Sequence, residues 1–191
     1  MSWQDPYLVP GTDCLANKAG IRDPEKLHEA EYLATAIRET TLRDIIGPKP
    51  AFDFETLKAV HKHLFQDVYA WAGQVRSVNI AKGGTAFEPA QLIEPAGRYE
   101  LASLQKNNYL KGLTAGQFAE RLAHYFTKIN EIHPFREGNG RAQKAFCSLL
   151  AEHAGYRLDW SAVSRDRYIE ASRQGCAGNQ APLIAVIQAC L

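Results

Sequence analysis

The nine residues His133-Pro134-Phe135-Arg136-Glu137-Gly138-Asn139-Gly140-Arg141 constrain this chain more than any other stretch. Ahead of them Leu122, Tyr125, Phe126 and Ile129 recur at helical spacing, so an apolar helix leads directly into His133. The Gly138-Asn139-Gly140 turn then marks the start of a second helix. Two helices joined by a short polar loop satisfy this pattern. Glycine lets backbone N–H groups approach an anion that a Cβ would obstruct. The helix start adds unpaired donors and the positive end of its dipole. Arg141, on the first turn, can grip phosphate oxygens through two parallel hydrogen bonds. Glu137 is the oxygen ligand Mg²⁺ takes when phosphates and waters fill its other positions. His133 titrates near neutrality and can accept a proton from an attacking hydroxyl. These residues by themselves point to a hydroxyl attacking a nucleotide phosphate.

The remaining sequence predicts an all-α bundle with one short β-hairpin. Residues 1–22 lack periodicity and read as an irregular N-terminal arm, with a single domain over 23–191. Asp23-Pro24 opens a helix as N-cap and first residue. Leu27, Ala30, Tyr32, Ala34 and Ile37 form its apolar side, and it ends before Gly47-Pro48. A second helix is expected over about 53–66, with Phe54, Leu57, Val60, Leu64 and Phe65 inward. Tyr69, Trp71 and Gly73 then close a turn. Over 75–88, β-branched Val75, Val78 and Ile80 precede a Lys82-Gly83-Gly84-Thr85 turn, which predicts the hairpin. Further helices are expected at about 90–106, 114–131, 138–154, 164–175 and 181–190.

Composition narrows the function classes. With 191 residues and 46% hydrophobic content, one sizeable core is possible. Lys plus Arg total 22 against 21 Asp plus Glu, so no global field recruits nucleic acid or an anionic membrane. The opening is interrupted by Asp5, Pro6 and Pro10, unlike a secretory leader. The apolar stretch 182–191 is too short to span a bilayer. Cys14, Cys147, Cys176 and Cys190 are scattered, as in a cytoplasmic protein with reduced thiols, and Cys147 reads as a small core residue. His61 and His63, two apart on a helix, face different ways and read as partly exposed residues rather than a metal pair. His124 and His153 have no neighbouring constellation.

The nine-residue stretch resembles the signature of the Fic (Fic/Doc, Fido) family, His-x-Phe-x-Asp/Glu-Gly-Asn-Gly-Arg-x-x-Arg. Every specified position through Arg141 matches, and Lys144 stands where the family usually has Arg. The resemblance implies the Fic helical bundle after residue 22, with the hairpin as a flap that aligns a target segment by strand pairing. It implies AMPylation, in which AMP passes from ATP to a Ser, Thr or Tyr hydroxyl of a protein. His133 would be the base, and Phe135 would support the loop from the core. Glu137 would bind Mg²⁺ between the α- and β-phosphates. Gly138, Asn139 and Gly140 would form an anion hole, with Asn139 touching the α-phosphate. Arg141 would bind the outer phosphates. Lys144 would hold the γ-phosphate less firmly than Arg, being a flexible point charge rather than a planar fork. Lys82 and Gly83 would cover the nucleotide, and Arg173, matched by offset, would sit on the helix bordering the adenine. Related Doc-type kinases typically carry Lys at the position of Gly140, so AMP transfer is favoured over phosphorylation.

Control is also implied. Many Fic proteins are silenced by a helix carrying Ser/Thr-x-x-x-Glu-Gly/Asn. Here Thr35…Glu39, Thr127…Glu131 and Ser148…Glu152 have the first spacing, but Thr40, Ile132 and His153 follow them. The chain therefore resembles Fic toxins restrained by a separate small antitoxin, whose targets are DNA gyrase and topoisomerase IV. The alternatives are a secreted effector with another target, a housekeeping modifier, and a catalytically weak domain that only binds its target.

Overall fold

The computed structural model describes residues 5–45, 47, 50–82 and 85–191. Helix α4, Ala115–Ile132, lies at the centre. Leu122, Tyr125, Phe126 and Ile129 are buried, as the periodicity predicts, and Phe118, Ala119 and Ala123 are buried with them. A helix covered this widely must be surrounded. Helices α3 (Ile93–Lys106), α5 (Asn139–Ala154), α6 (Arg165–Cys176) and α7 (Ala181–Cys190) all pack on it. Thr114 and Gln117 start α4 as a reciprocal capping box. Helix α2, Phe54–Phe65, lies between α1, Pro24–Glu39, and α5. The expected inward residues of α2 are all buried.

Two expectations change. The hairpin is shorter than 75–88, because only Ala81–Lys82 (β1) and Thr85–Ala86 (β2) pair, with Ala81 opposite Ala86 and Lys82 opposite Thr85. The segment before it bonds elsewhere: Arg76 N–H donates to the Pro134 carbonyl at 2.8 Å. In α1 the expected apolar side is only partly buried: Leu27 is buried and Ala34 packs on the core, but Tyr32 and Ile37 turn outward. Tyr32, Leu33 and Ile37 are exposed, while Leu27, Glu31 and Thr35 face inward. A polar residue can turn inward only where partners await it, and Glu31 has two, described below.

The arm is docked against the bundle. Leu8 and Leu15 form an antiparallel bridge, Lys18 N–H donates to the Val68 carbonyl, and Cys14 is buried. Tyr7 meets Trp71 edge-on, and Asp5 pairs with Arg136 at 2.8 Å. The four cysteines are free. Among the described residues no helix is long and apolar enough to cross a membrane.

Candidate functional site

Helix α4 ends at His133, whose backbone is left-handed (φ +46°) while its N–H still bonds the Ile129 carbonyl at 2.9 Å. A non-glycine residue in this region is uncommon and is held there by its surroundings. Arg76 does the holding. It is buried, forms no ion pair among the described residues, and donates instead to backbone carbonyls. Nε bonds the His133 carbonyl at 2.8 Å, Nη1 bonds Val78, and Nη2 bonds Glu88 and Ile132. One guanidinium thus ties the end of α4 to both roots of the hairpin. Glu88 N–H adds a bond to the Glu131 carbonyl at 3.1 Å.

The His133 ring stacks on Phe87, 3.8 Å between centroids. Its Nδ1 lies 3.3 Å from the Asn130 carbonyl, which can only accept, so the proton sits on Nδ1 and Nε2 carries the lone pair. Burial pushes its pKa down to about 4, with the Arg76 and Lys82 charges acting in the same direction. The imidazole is neutral at pH 7, as a base must be.

The loop is packed from beneath. Phe135 is buried, as expected of a support, and stacks on His61 at 3.8 Å. His61 is fully buried, contrary to the partly exposed reading. Gly73 N–H donates to its Nδ1 at 2.9 Å, which leaves Nε2–H to donate to the Glu137 carbonyl at 3.0 Å. Burial drives its pKa to about 3. Asn139 also turns inward: its Oδ1 accepts from Phe135 N–H at 2.8 Å and its Nδ2 donates to the Phe135 carbonyl at 2.7 Å. Its side chain closes the loop, leaving its backbone N–H for any anion.

Both histidines refuse protons that the unfolded chain accepts near 6.5. Between that value and the folded values the unfolded state binds more protons, so stability rises with pH. Their contribution is complete above pH 6.5 and is lost as pH falls through about 4 and then about 3. Imidazole NMR signals of both residues should therefore stay in the neutral form at pH 5.5. Protonated rings there would contradict the burial argument.

Above the loop the surface is open. Helix α5 begins at Asn139 with no side chain capping it, and Gly138 precedes it at φ +80°. A Cβ on Gly140 would meet nothing within 4 Å, so the helix start faces free space where an anion can approach. Arg141 stands over Phe65 at 4.8 Å, with Glu137 3.7 Å away. The Glu137 carboxylate is about half exposed, and its Oε1 accepts from Gly138 N–H at 2.8 Å. Among the described residues no His, Cys, Asp and Glu cluster could hold a metal alone. One accessible carboxylate fits Mg²⁺ only as that ion binds beside phosphates and waters.

The sequence-derived candidates divide accordingly. His133, Glu137, Gly138, Asn139, Gly140 and Arg141 share one loop and helix start. Lys82 is exposed on β1 and its charge reaches His133. Gly83 lies outside the described residues. Lys144 points its ammonium over Tyr168 and Trp160, at 5.0 and 5.9 Å. Arg173 makes an exposed ion pair with Glu170, one turn away on α6. Of the inhibitory spacings, Glu131 pairs with Lys128 and Glu152 with Arg43. Besides Glu137 of its own loop, the carboxylate that reaches Arg141 is Glu31, from α1. No local pattern marks Glu31, Arg76 or His61, although a charged residue at an inward helix position is a signal once the packing face is known.

This geometry has close counterparts. The Fic/DOC family model matches residues 51–151. The probable protein adenylyltransferase Fic of Escherichia coli is 40% identical over 92% of this chain and 86% of its own length. Protein adenylyltransferase VbhT of Bartonella schoenbuchensis is 38% identical over 96% of this chain and 38% of its own length. The crystal structure of the BepC effector of Bartonella tribocorum with bound AMPPNP superposes with a TM-score of 0.90, at 30% identity over 96% and 95% of the two chains. The loop, the helix start and these matches agree, and the chain belongs to the Fic/DOC family.

Proposed function

We propose that this chain is a protein adenylyltransferase that moves AMP from ATP to a hydroxyl of a target protein. The observation that carries the reading is the neutral His133, its Nε2 lone pair available beside the open start of α5. The target hydroxyl oxygen attacks the α-phosphorus while its proton passes to His133 Nε2. The bond to the bridging oxygen breaks and pyrophosphate leaves. The uncapped N–H groups of α5 stabilise charge on the α-phosphate oxygens. Arg141 holds the outer phosphates, and Glu137 would hold Mg²⁺, whose charge would offset that of the leaving group. Lys82 covers the nucleotide from the hairpin. A target segment adds to the edge of that hairpin through backbone pairing.

The favoured target is a bacterial type II topoisomerase, DNA gyrase or topoisomerase IV, with control by a separate small antitoxin. Tyr32, Leu33 and Ile37 support the second part, because they expose an apolar strip on the outer side of the helix that carries Glu31. A partner helix would cover it. The experiment uses ATP radiolabelled at the α-phosphate or at the γ-phosphate, with purified gyrase and topoisomerase IV and with a bacterial lysate. Label from the α-position alone should appear on a topoisomerase subunit. Transfer of γ-label instead would establish a kinase. Absence of any protein label would overturn the transferase reading and leave a binding module. α-Label on other proteins only would keep the enzyme and remove the topoisomerase target, as expected of a secreted effector.

A further inference from the structure

Glu31 is the only carboxylate residue buried among the described residues, at 3% exposure. It reaches inward from α1 and meets two donors. The Tyr69 hydroxyl donates to Oε2, and Arg141 Nη2 donates to Oε1. Tyr69 is buried and stacked on Trp71 at 4.2 Å, so it cannot swing away easily. Phe65, under the Arg141 guanidinium, is also fully buried. Arg141 is thus gripped from one side and supported from below. Its Nε and Nη1 donate to no protein acceptor among the described residues, and its side chain is 29% exposed. A planar guanidinium fixed through one nitrogen presents its other donors in a set direction.

We propose that Glu31 is a positioning residue that fixes Arg141 for the outer phosphates of the nucleotide, with Tyr69 orienting Glu31. Helix α1 then sets the affinity for a triphosphate without touching it. The inference rests on the reading of Arg141 as a phosphate ligand. An arginine side chain left free must be immobilised at binding, which weakens the interaction. A plain structural tie between α1 and α5 would instead affect every ligand of the site equally. Nucleotide identity separates the two, because AMP lacks the phosphates that Arg141 is read to hold.

The test is calorimetric titration of the full chain with ATP and with AMP, each with Mg²⁺, in the His133→Ala background so that nothing turns over. Glu31→Gln keeps the volume and an acceptor for Tyr69 but removes the charge. It should weaken ATP by about 3–10-fold, the cost of one immobilised long side chain, and leave AMP within a factor of two. Tyr69→Phe should weaken ATP in the same selective way by less. Equal loss for both nucleotides, no loss, or tighter ATP binding would each overturn the proposal. Should Glu31→Gln fail to fold, the Tyr69→Phe comparison decides it on the same terms. Arg141→Ala separates the premise: unchanged ATP affinity in that variant means Arg141 is no phosphate ligand, and the role of Glu31 falls with it. ATP weakened by Arg141→Ala but not by Glu31→Gln or Tyr69→Phe overturns only the positioning role.

Discussion

Replacing His133 by alanine is expected to slow AMP transfer by about 10²–10⁴-fold, the usual contribution of a general base. The effect follows from the ring's setting. Asn130 holds the Nδ1 proton and burial keeps the pKa at about 4, so Nε2 is a free acceptor throughout the physiological range. The substitution is not silent elsewhere. It removes a stack on Phe87 and places alanine in a left-handed backbone. His133→Asn is the better control, since asparagine tolerates that region but is no base. Both variants should melt as cooperative proteins and both should fail to label the target. Labelling within a factor of two of the parent by either would show that another group takes the proton.

Gly138→Ala is expected to damage the fold more than any other single change in the loop. An added Cβ would lie 2.2 Å from Phe65 Cζ and 2.5 Å from Cε2, and φ is +80°. Phe65 is fully buried and is the ring beneath Arg141, so it cannot move without disturbing the site. Overpacking of this kind costs about 1–3 kcal/mol, and a left-handed alanine adds about 1–2 kcal/mol. For a chain of this size the melting temperature should fall on the order of 10 °C. Gly140→Ala, whose Cβ would meet nothing, should melt within a few degrees of the parent. Similar melting temperatures for Gly138→Ala and the parent would mean that Phe65 has room to yield.

The helices were legible because their signals are local. Apolar spacing in α4, the Asp23-Pro24 start of α1 and the Gly-Asn-Gly turn before α5 each act within a few residues, where side-chain direction follows from helix geometry. The motif residues were legible for the same reason, being nearly contiguous. Partners were not. His61 bonds the Glu137 carbonyl across 76 residues, Arg76 bonds the His133 carbonyl across 57, and Glu31 reaches Arg141 across 110. Which face of α1 turns inward was decided by Tyr69 and Arg141 waiting there, against an apolar pattern that favoured Tyr32 and Ile37. Lys144 lies over the Tyr168 and Trp160 rings, which are brought to α5 from later in the chain. The sequence alone determined the bundle, the loop and the chemistry it holds. Only the tertiary structure decided how that chemistry is aimed, because a buried polar group takes its partners from whatever long-range packing brings within hydrogen-bond reach.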